Sequence, residues 1–91
     1  MNYLVDFTDE ARADLARMFR NDPKAYKKAE KLIAELEVHP RTGTGHPHQL
    51  SGDHAGQWSR SITKKHRLVY TINDNEVIVL VLMSWGHYDD K

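Results

Sequence analysis

The side chains best suited to chemistry on a charged substrate lie in the second half of this sequence. Between residues 39 and 72 there are five bases and a single acid, Asp53, and five of the six histidines lie in the same stretch. Guanidinium groups bind phosphates through paired donors, and imidazoles take or give protons near neutral pH. The pattern therefore indicates either acid–base chemistry beside a phosphate or basic side chains solvated at the rim of a sheet.

Two pairs within this polar set have a spacing that matters. His46 and His48 are separated by one residue, so an extended chain would point both imidazoles the same way. A zinc site needs further ligands, but the chain has no cysteine and no third ligand follows at a recognisable spacing. We therefore expect no metal and no cofactor. His87 and Tyr88 follow the most apolar segment, where an aromatic ring could stack on an unpaired base.

A chain of 91 residues is long enough for one domain, which we expect to span residues 1–91. Hydrophobic residues make up 40% and charged residues 29%, a composition that excludes a disordered chain. The net charge of zero argues by itself against a generic nucleic-acid binder, and it hides the local basic stretch. The longest apolar run, Val77–Met83, is too short to cross a membrane, and the N-terminus lacks a signal-peptide pattern. A cytosolic protein without disulfides is the expectation.

The first half of the chain reads as a strand followed by a helical hairpin. Alternating side chains over residues 3–7 predict the strand, and Thr8 can cap a helix over residues 9–20. Pro23 suits the first turn of a second helix, and that helix must end before Pro40. The tight connection between the two helices predicts that they lie side by side.

The second half reads as an antiparallel sheet. Turn chemistry predicts a loop over residues 40–47, and period-two alternation predicts strands over residues 58–63, 66–72 and 76–85. Lys64-Lys65 and residues 73–75 are the expected turns. The last strand is apolar on both faces, so we place it centrally in the sheet. The predicted fold class is α+β: an N-terminal strand, a helical hairpin and then an antiparallel sheet of three or four strands.

Four stretches of the sequence together resemble the YoeB/Txe family of small bacterial toxins, which are related to RelE. They are Gly43-Thr44-Gly45-His46-Pro47-His48-Gln49-Leu50, Gly56-Gln57-Trp58-Ser59-Arg60-Ser61-Ile62-Thr63, His66-Arg67-Leu68-Val69-Tyr70 and His87-Tyr88. The resemblance covers nearly the whole chain and is densest from residue 43 to residue 70. Its most specific part is the string W-S-R-x-I-T-x-x-H-R-L-V-Y.

The resemblance implies a ribosome-dependent endoribonuclease with a microbial-RNase-like α+β fold. Such a toxin cuts mRNA in the ribosomal A site, is commonly a homodimer and is neutralised by a cognate antitoxin. A second interpretation stays open: a member of the family that does not cut RNA but occupies the A site or only binds its antitoxin.

The resemblance also assigns roles to individual residues. It implies catalytic roles for Arg67, the transition-state arginine, and His87, the general acid, and it implies substrate-binding roles for Arg60 and Tyr88. Lys64 and Lys65 lie where members of the family vary, so we count them as substrate-binding on their charge alone. Arg60 would lie near the scissile phosphate, Tyr88 beside the acid, and the two lysines would attract the RNA backbone.

The sequence departs from the family pattern at residue 48. Related chains carry a glutamate there as general base, in the run G-K-P-E-x-L, whereas this chain has His48 in G-H-P-H-Q-L. A neutral imidazole has a pKa close to the working pH, so His48 can serve as base with His87 as acid and Arg67 as the electrostatic clamp, without a metal. The alternatives are that position 48 is degraded and the protein cuts poorly, or that His46 is the base. Asp89-Asp90-Lys91 also extends the chain beyond the family's usual His-Tyr end.

Overall fold

A mixed five-stranded sheet with two helices packed on one of its faces forms the fold of this protein. The structure is a computed structural model that describes residues 2–83. Its elements are β1 (Leu4–Phe7), α1 (Asp9–Asn21), α2 (Pro23–Leu36), β2 (His48–Gln49), a 3-10 turn (Gly52–His54), β3 (Trp58–Ser61), β4 (Arg67–Asn73) and β5 (Ile78–Met83). The α+β class is confirmed, and neither helix within residues 2–83 is long and apolar enough to cross a membrane.

The strand order is β1-β5-β4-β3-β2, so β5 is an interior strand as its apolar sequence predicts. Strands β2 to β5 pair antiparallel, but β1 pairs parallel with β5, with Val5 opposite Val79. The expected antiparallel sheet of three or four strands is confirmed for β2 to β5, and β1, for which no partner was predicted, joins this sheet through β5. The chain between β1 and β5 contains the helical hairpin and strands β2 to β4, which is far more than the dozen or so residues that a parallel connection needs.

The starts of both helices follow from single capping residues. The Thr8 hydroxyl accepts a hydrogen bond from the amide of Ala11 at 3.0 Å, and the Asp22 carboxylate accepts one from the amide of Ala25 at 3.3 Å. Pro23 is the first residue of α2, where its missing N–H is not needed. The predicted N-terminal boundaries are confirmed.

The core lies between the hairpin and one face of the sheet. It contains Ala11, Met18, Ala25, Ala29, Leu32 and Leu36 from the helices, Leu68, Tyr70, Val79 and Val81 from the strands, and Ile62 after β3. Phe19 does not join this core, although its spacing in α1 predicts that it would: it is 62% exposed and its ring packs edge-on against Tyr26, 5.1 Å away. Phe19 follows the buried Met18 directly in α1 and lies on the solvent-exposed side of the hairpin.

Candidate active site

The sheet face turned away from the helices carries two of the predicted catalytic residues, His48 and Arg67. His48 lies opposite Ser59 in the β2–β3 ladder, and Arg67 lies opposite Ser61 in the β3–β4 ladder. Directly opposed residues share a face, and residues two apart on one strand also share it. His48 and Arg67 therefore project from the same surface, offset by two strand spacings (about 10 Å) across the sheet and by two residues (about 7 Å) along it.

The imidazole of His48 is exposed, and a hydrogen bond to the backbone determines which of its nitrogens carries the proton. Its Nδ1 lies 2.9 Å from the backbone oxygen of His46. A carbonyl oxygen can only accept, so Nδ1 must carry the proton in this contact. In the neutral ring the remaining nitrogen, Nε2, is then the one that can take a proton.

The loop before His48 lies directly against β3. The amide of Ser61 donates to the backbone oxygen of Gly45 at 2.7 Å, and His46 adopts a left-handed conformation with φ of 53°. Gly45 itself has φ of +87°, and a Cβ atom there would lie 2.7 Å from the Ser61 oxygen. Only glycine fits this close approach of loop and strand without strain.

Arg60 lies on the opposite face of the sheet and is fully buried. Its guanidinium group is enclosed by oxygen acceptors: the Tyr70 hydroxyl at 3.1 Å, Glu35 Oε1 at 2.8 Å, and the backbone oxygens of Thr42 at 2.8 Å, Thr44 at 3.4 Å and His39. The expectation that Arg60 contacts the scissile phosphate is therefore corrected, since its donors are directed at the protein itself. Arg60 alternates with Ser59 and Ser61, so its own side chain points toward the core.

The Tyr70 hydroxyl completes this buried cluster. It accepts from Arg60 Nε and donates to the backbone oxygen of Pro40 at 2.7 Å. Burial raises the pKa of this hydroxyl, which keeps its proton in place for the bond to Pro40. Arg60 and Tyr70 thus tie the loop after α2 to the sheet.

Glu35 is a part of this arrangement that sequence reasoning missed. The pattern of α2 places it with the solvated lysines, but its side chain is only 24% exposed and forms an ion pair with Arg60. Its carboxylate accepts from the Thr44 amide at 2.9 Å and from the Thr44 hydroxyl at 2.7 Å. The Thr44 hydroxyl, followed by the Thr44 amide and Arg60, lowers the pKa of Glu35 against the opposing effect of burial. No local sequence signal distinguishes this glutamate from a surface one.

The remaining predicted residues have different positions. Lys64 and Lys65 are exposed in the turn between β3 and β4, where the Thr63 hydroxyl accepts from the amide of Lys65 at 3.1 Å. Arg67 begins β4 next to them, half-buried, and forms no ion pair within residues 2–83. These three cations lie at one end of the sheet. His87 and Tyr88 lie outside the described residues, as does the tail after them.

One further polar group on the candidate face was not anticipated. Ser59, the residue opposite His48, is fully buried, and its hydroxyl has no hydrogen-bond partner in the described part of the chain. Buried hydroxyls are nearly always paired, so Ser59, opposite His48, is an exception among residues 2–83.

Comparison with known proteins gives this geometry a family. The sequence pattern of the YoeB-like toxin of bacterial type II toxin–antitoxin systems matches residues 7–88. Toxin YoeB of Mycobacterium bovis is 38% identical over 76 residues, which cover 84% of this chain and 89% of that protein. Toxin YoeB of Streptomyces coelicolor is 36% identical over 76 residues, covering 84% of this chain and 90% of that one.

Solved structures agree in fold. The YoeB/ParE toxin from Agrobacterium tumefaciens superposes with a TM-score of 0.87 at 33% identity, covering 93% of this chain and 99% of that one. A YoeB dimer and a YoeB–YefM complex from Staphylococcus aureus give TM-scores of 0.82 and 0.80 at 29% identity, each covering 97% of this chain and 100% of the other. The fold and the matches define a small bacterial toxin. The chain belongs to the YoeB-like toxin family of type II toxin–antitoxin systems.

Proposed function

We propose that this toxin is an endoribonuclease that cuts mRNA in the ribosomal A site and so stops translation. The observation that carries the proposal is the placement of His48 and Arg67 on one sheet face, with His48 Nε2 left as the basic nitrogen. Cleavage of RNA at its own 2′-hydroxyl needs a base, an acid for the leaving oxygen and positive charge at the phosphate, and His48 and Arg67 would supply the first and the last of these.

The proposed reaction needs only groups of the chain and the RNA. His48 Nε2 takes the proton of the 2′-hydroxyl, and the oxygen attacks the adjacent phosphorus. The bond from phosphorus to the 5′-oxygen breaks, and His87 gives that oxygen a proton. Arg67 stabilises the charge that builds on the phosphate oxygens, and Tyr88 stacks beside the acid. The products are a 2′,3′-cyclic phosphate and a free 5′-hydroxyl.

Basic side chains outside the reacting groups support attachment to ribosomal RNA. Lys64 and Lys65 are exposed in the turn just before Arg67. The four lysines of α2 are also exposed: Lys24, Lys27, Lys28 and Lys31. None of these six lysines forms an ion pair within the described residues. Free RNA should therefore be a poor substrate compared with mRNA on a ribosome, and the protein would act in the cytoplasm, where ribosomes work.

The proposed protein partners are a cognate antitoxin and a second copy of the toxin. We expect a cognate antitoxin whose acidic C-terminal segment covers the cationic face around Arg67, and we expect the free toxin to form a homodimer. The Staphylococcus aureus relatives described above form a dimer and a complex with YefM, which supports both expectations. Purification from the native operon should yield the toxin with a bound antitoxin. Recovery of the toxin alone would contradict that part of the proposal.

Mapping of mRNA 5′ ends on stalled ribosomes is the experiment that tests the activity. The parent protein should generate new 5′-hydroxyl ends in A-site codons, and Arg67→Ala should not. The histidine at position 48 favours one alternative, a catalytically weak member that blocks the A site. That alternative predicts stalled ribosomes without new 5′ ends.

A further inference from the structure

The loop that precedes His48 is held in place by hydrogen bonds to the side chains of Arg60 and Glu35. Residues 37–47 connect α2 to β2 with no regular secondary structure. A loop of this length is normally among the more mobile parts of a small domain. Here a buried arginine binds three of its backbone oxygens, and a carboxylate binds one of its residues twice.

The centre of this arrangement is the Glu35–Arg60 ion pair, with Nη1 to Oε1 at 2.8 Å. Glu35 projects from the last turn of α2 and Arg60 from β3, so the pair joins helix to sheet. Thr44 closes the loop onto it through its amide and its hydroxyl. Gly43 allows the approach, because a Cβ atom there would lie 2.5 Å from Glu35 Oε1.

From Thr44 the contacts lead directly to the candidate base. The next residue, Gly45, is fixed on β3 by the amide of Ser61. The left-handed conformation of His46 then turns its carbonyl toward the ring of His48, which donates through Nδ1. Each link in this path is a hydrogen bond or a single peptide unit.

We propose that the Glu35–Arg60 pair is a positioning device for His48, acting through Thr44 and the His46 carbonyl. It holds the imidazole as the Nδ1–H tautomer with Nε2 facing the substrate surface. The inference deepens the proposed function, because it takes His48 as the general base. Glu35 and Arg60 do not touch RNA in this arrangement, so they are positioning residues.

The test compares two matched substitutions in the same loop. Thr44→Val removes the hydroxyl that bonds to Glu35 at nearly constant volume. Thr42→Val is the control, because Thr42 contacts Arg60 only through its backbone oxygen and its side chain is exposed. Thr44→Ser keeps the hydroxyl and should restore the parent behaviour.

Two readouts separate positioning from simple damage to the fold. In nitrogen-15 NMR of the isolated toxin, His48 of the parent and of Thr42→Val should remain the Nδ1–H tautomer, and Thr44→Val should become a mixture. In single-turnover cleavage on ribosomes, Thr44→Val should lower the rate about 5- to 10-fold, the effect of one lost hydrogen bond. Affinity for the ribosome should stay within about 2-fold, because no group that contacts RNA is removed.

The outcomes separate the inference from the proposed function. If Thr44→Val leaves both the His48 tautomer and the cleavage rate unchanged, the positioning inference is wrong. If the tautomer shifts as expected but even the parent protein does not cleave mRNA, the device exists and the proposed activity fails. Should Thr44→Val fail to fold, Glu35→Gln removes the charge opposite Arg60 and is expected to shift the same NMR signal. An unchanged His48 signal in folded Glu35→Gln would then overturn the inference.

Discussion

Ser61 lies directly opposite Arg67 in the β3–β4 ladder, and both side chains occupy the sheet face away from the helices. The neighbouring Arg60, one residue earlier, belongs to the other face and is buried. A single step along the strand therefore separates a residue of the candidate surface from a residue of the core. A cation introduced at position 61 would lie beside Arg67 on this face.

Ser61→Arg is expected to strengthen binding to ribosomes at low salt. A guanidinium beside Arg67 adds about one phosphate contact, so the slope of log affinity against log salt should steepen by about one. Binding titrations at several salt concentrations measure this slope. Ala13→Arg adds the same charge on the exposed side of α1 and is the control. Equal slopes for the two variants would show that position 61 does not face the RNA.

Arg60→Met should reduce the stability of the fold rather than its affinity for RNA. Removing one partner of a buried ion pair costs about 3–5 kcal/mol, because the other charge is left uncompensated. Urea unfolding followed by circular dichroism measures the loss. Arg41→Met is the matched control: its pair with Asp74, 2.7 Å apart, is exposed and should contribute little. Equal losses in the two variants would contradict the assignment of Arg60 to the core.

Glu35→Gln should destabilise the protein in a pH-dependent way. The pKa of Glu35 is lowered below its ordinary value of 4.5 in the folded chain, chiefly by the Thr44 hydroxyl. The ionised carboxylate therefore stabilises the fold above pH 4.5, and this contribution is lost as the pH falls through the lower folded value. The gap in free energy of unfolding between parent and variant should be widest at neutral pH and should narrow as the pH falls below 4.5. Glu30→Gln, at an exposed position of the same helix, should show no such trend.

His48 variants test the candidate base by the pH dependence of single-turnover cleavage on ribosomes. The rate should follow a bell, because the base must start neutral and the acid must start protonated. His48→Ala should lower the rate about 10²–10⁴-fold, whereas His48→Glu should retain activity and move the acidic limb to lower pH. His46→Ala keeps the carbonyl that bonds to His48 and should change the rate far less. A fully active His48→Ala together with an inactive His46→Ala would assign the base to His46.

Gly45→Ala should destabilise the protein more than Gly56→Ala does. Both glycines have positive φ, +87° and +92°, so alanine costs about 1 kcal/mol at either position. At Gly56 a Cβ atom meets nothing within 4 Å, but at Gly45 it would lie 2.7 Å from the Ser61 oxygen. Urea unfolding of the two variants compares these costs. Equal destabilisation would mean that the loop moves away from β3 without penalty.

Features that depend on a few adjacent residues could be predicted from the sequence. Thr8 and Asp22 cap their helices as expected. The turn that contains Lys64 and Lys65 joins β3 to β4, two strands predicted from alternating side chains. Alternation along β3 puts Arg60 on one face with Trp58 and Ile62, and in the structure this is the face that packs against the helices. The resemblance to a family nevertheless assigned Arg60 to the substrate, because a sequence string does not say which face of a strand is open.

Features that depend on distant residues could not be predicted. The parallel pairing of β1 with β5 needs two strands from opposite ends of the described chain, and no local pattern specifies it. Glu35 looks like one more polar residue of α2 until the loop at Thr44 folds onto it. The sequence could therefore predict His48 and Arg67 as site residues, but it could not predict the contacts among Glu35, Arg60 and Thr44 that hold the loop before His48.

The interior position of β5 has a consequence for how this toxin is made. Strand β5 separates β1 from β4, so the N-terminal strand has no partner in the sheet until the segment from Ile78 to Met83 has been synthesised. The helical hairpin, although complete early, lacks the strand residues Val79 and Val81 that its apolar side packs against. A ribosome translating this message therefore completes nearly the whole described chain before the nascent protein can close its core. A copy whose synthesis stops before β5 therefore lacks the core residues Val79 and Val81.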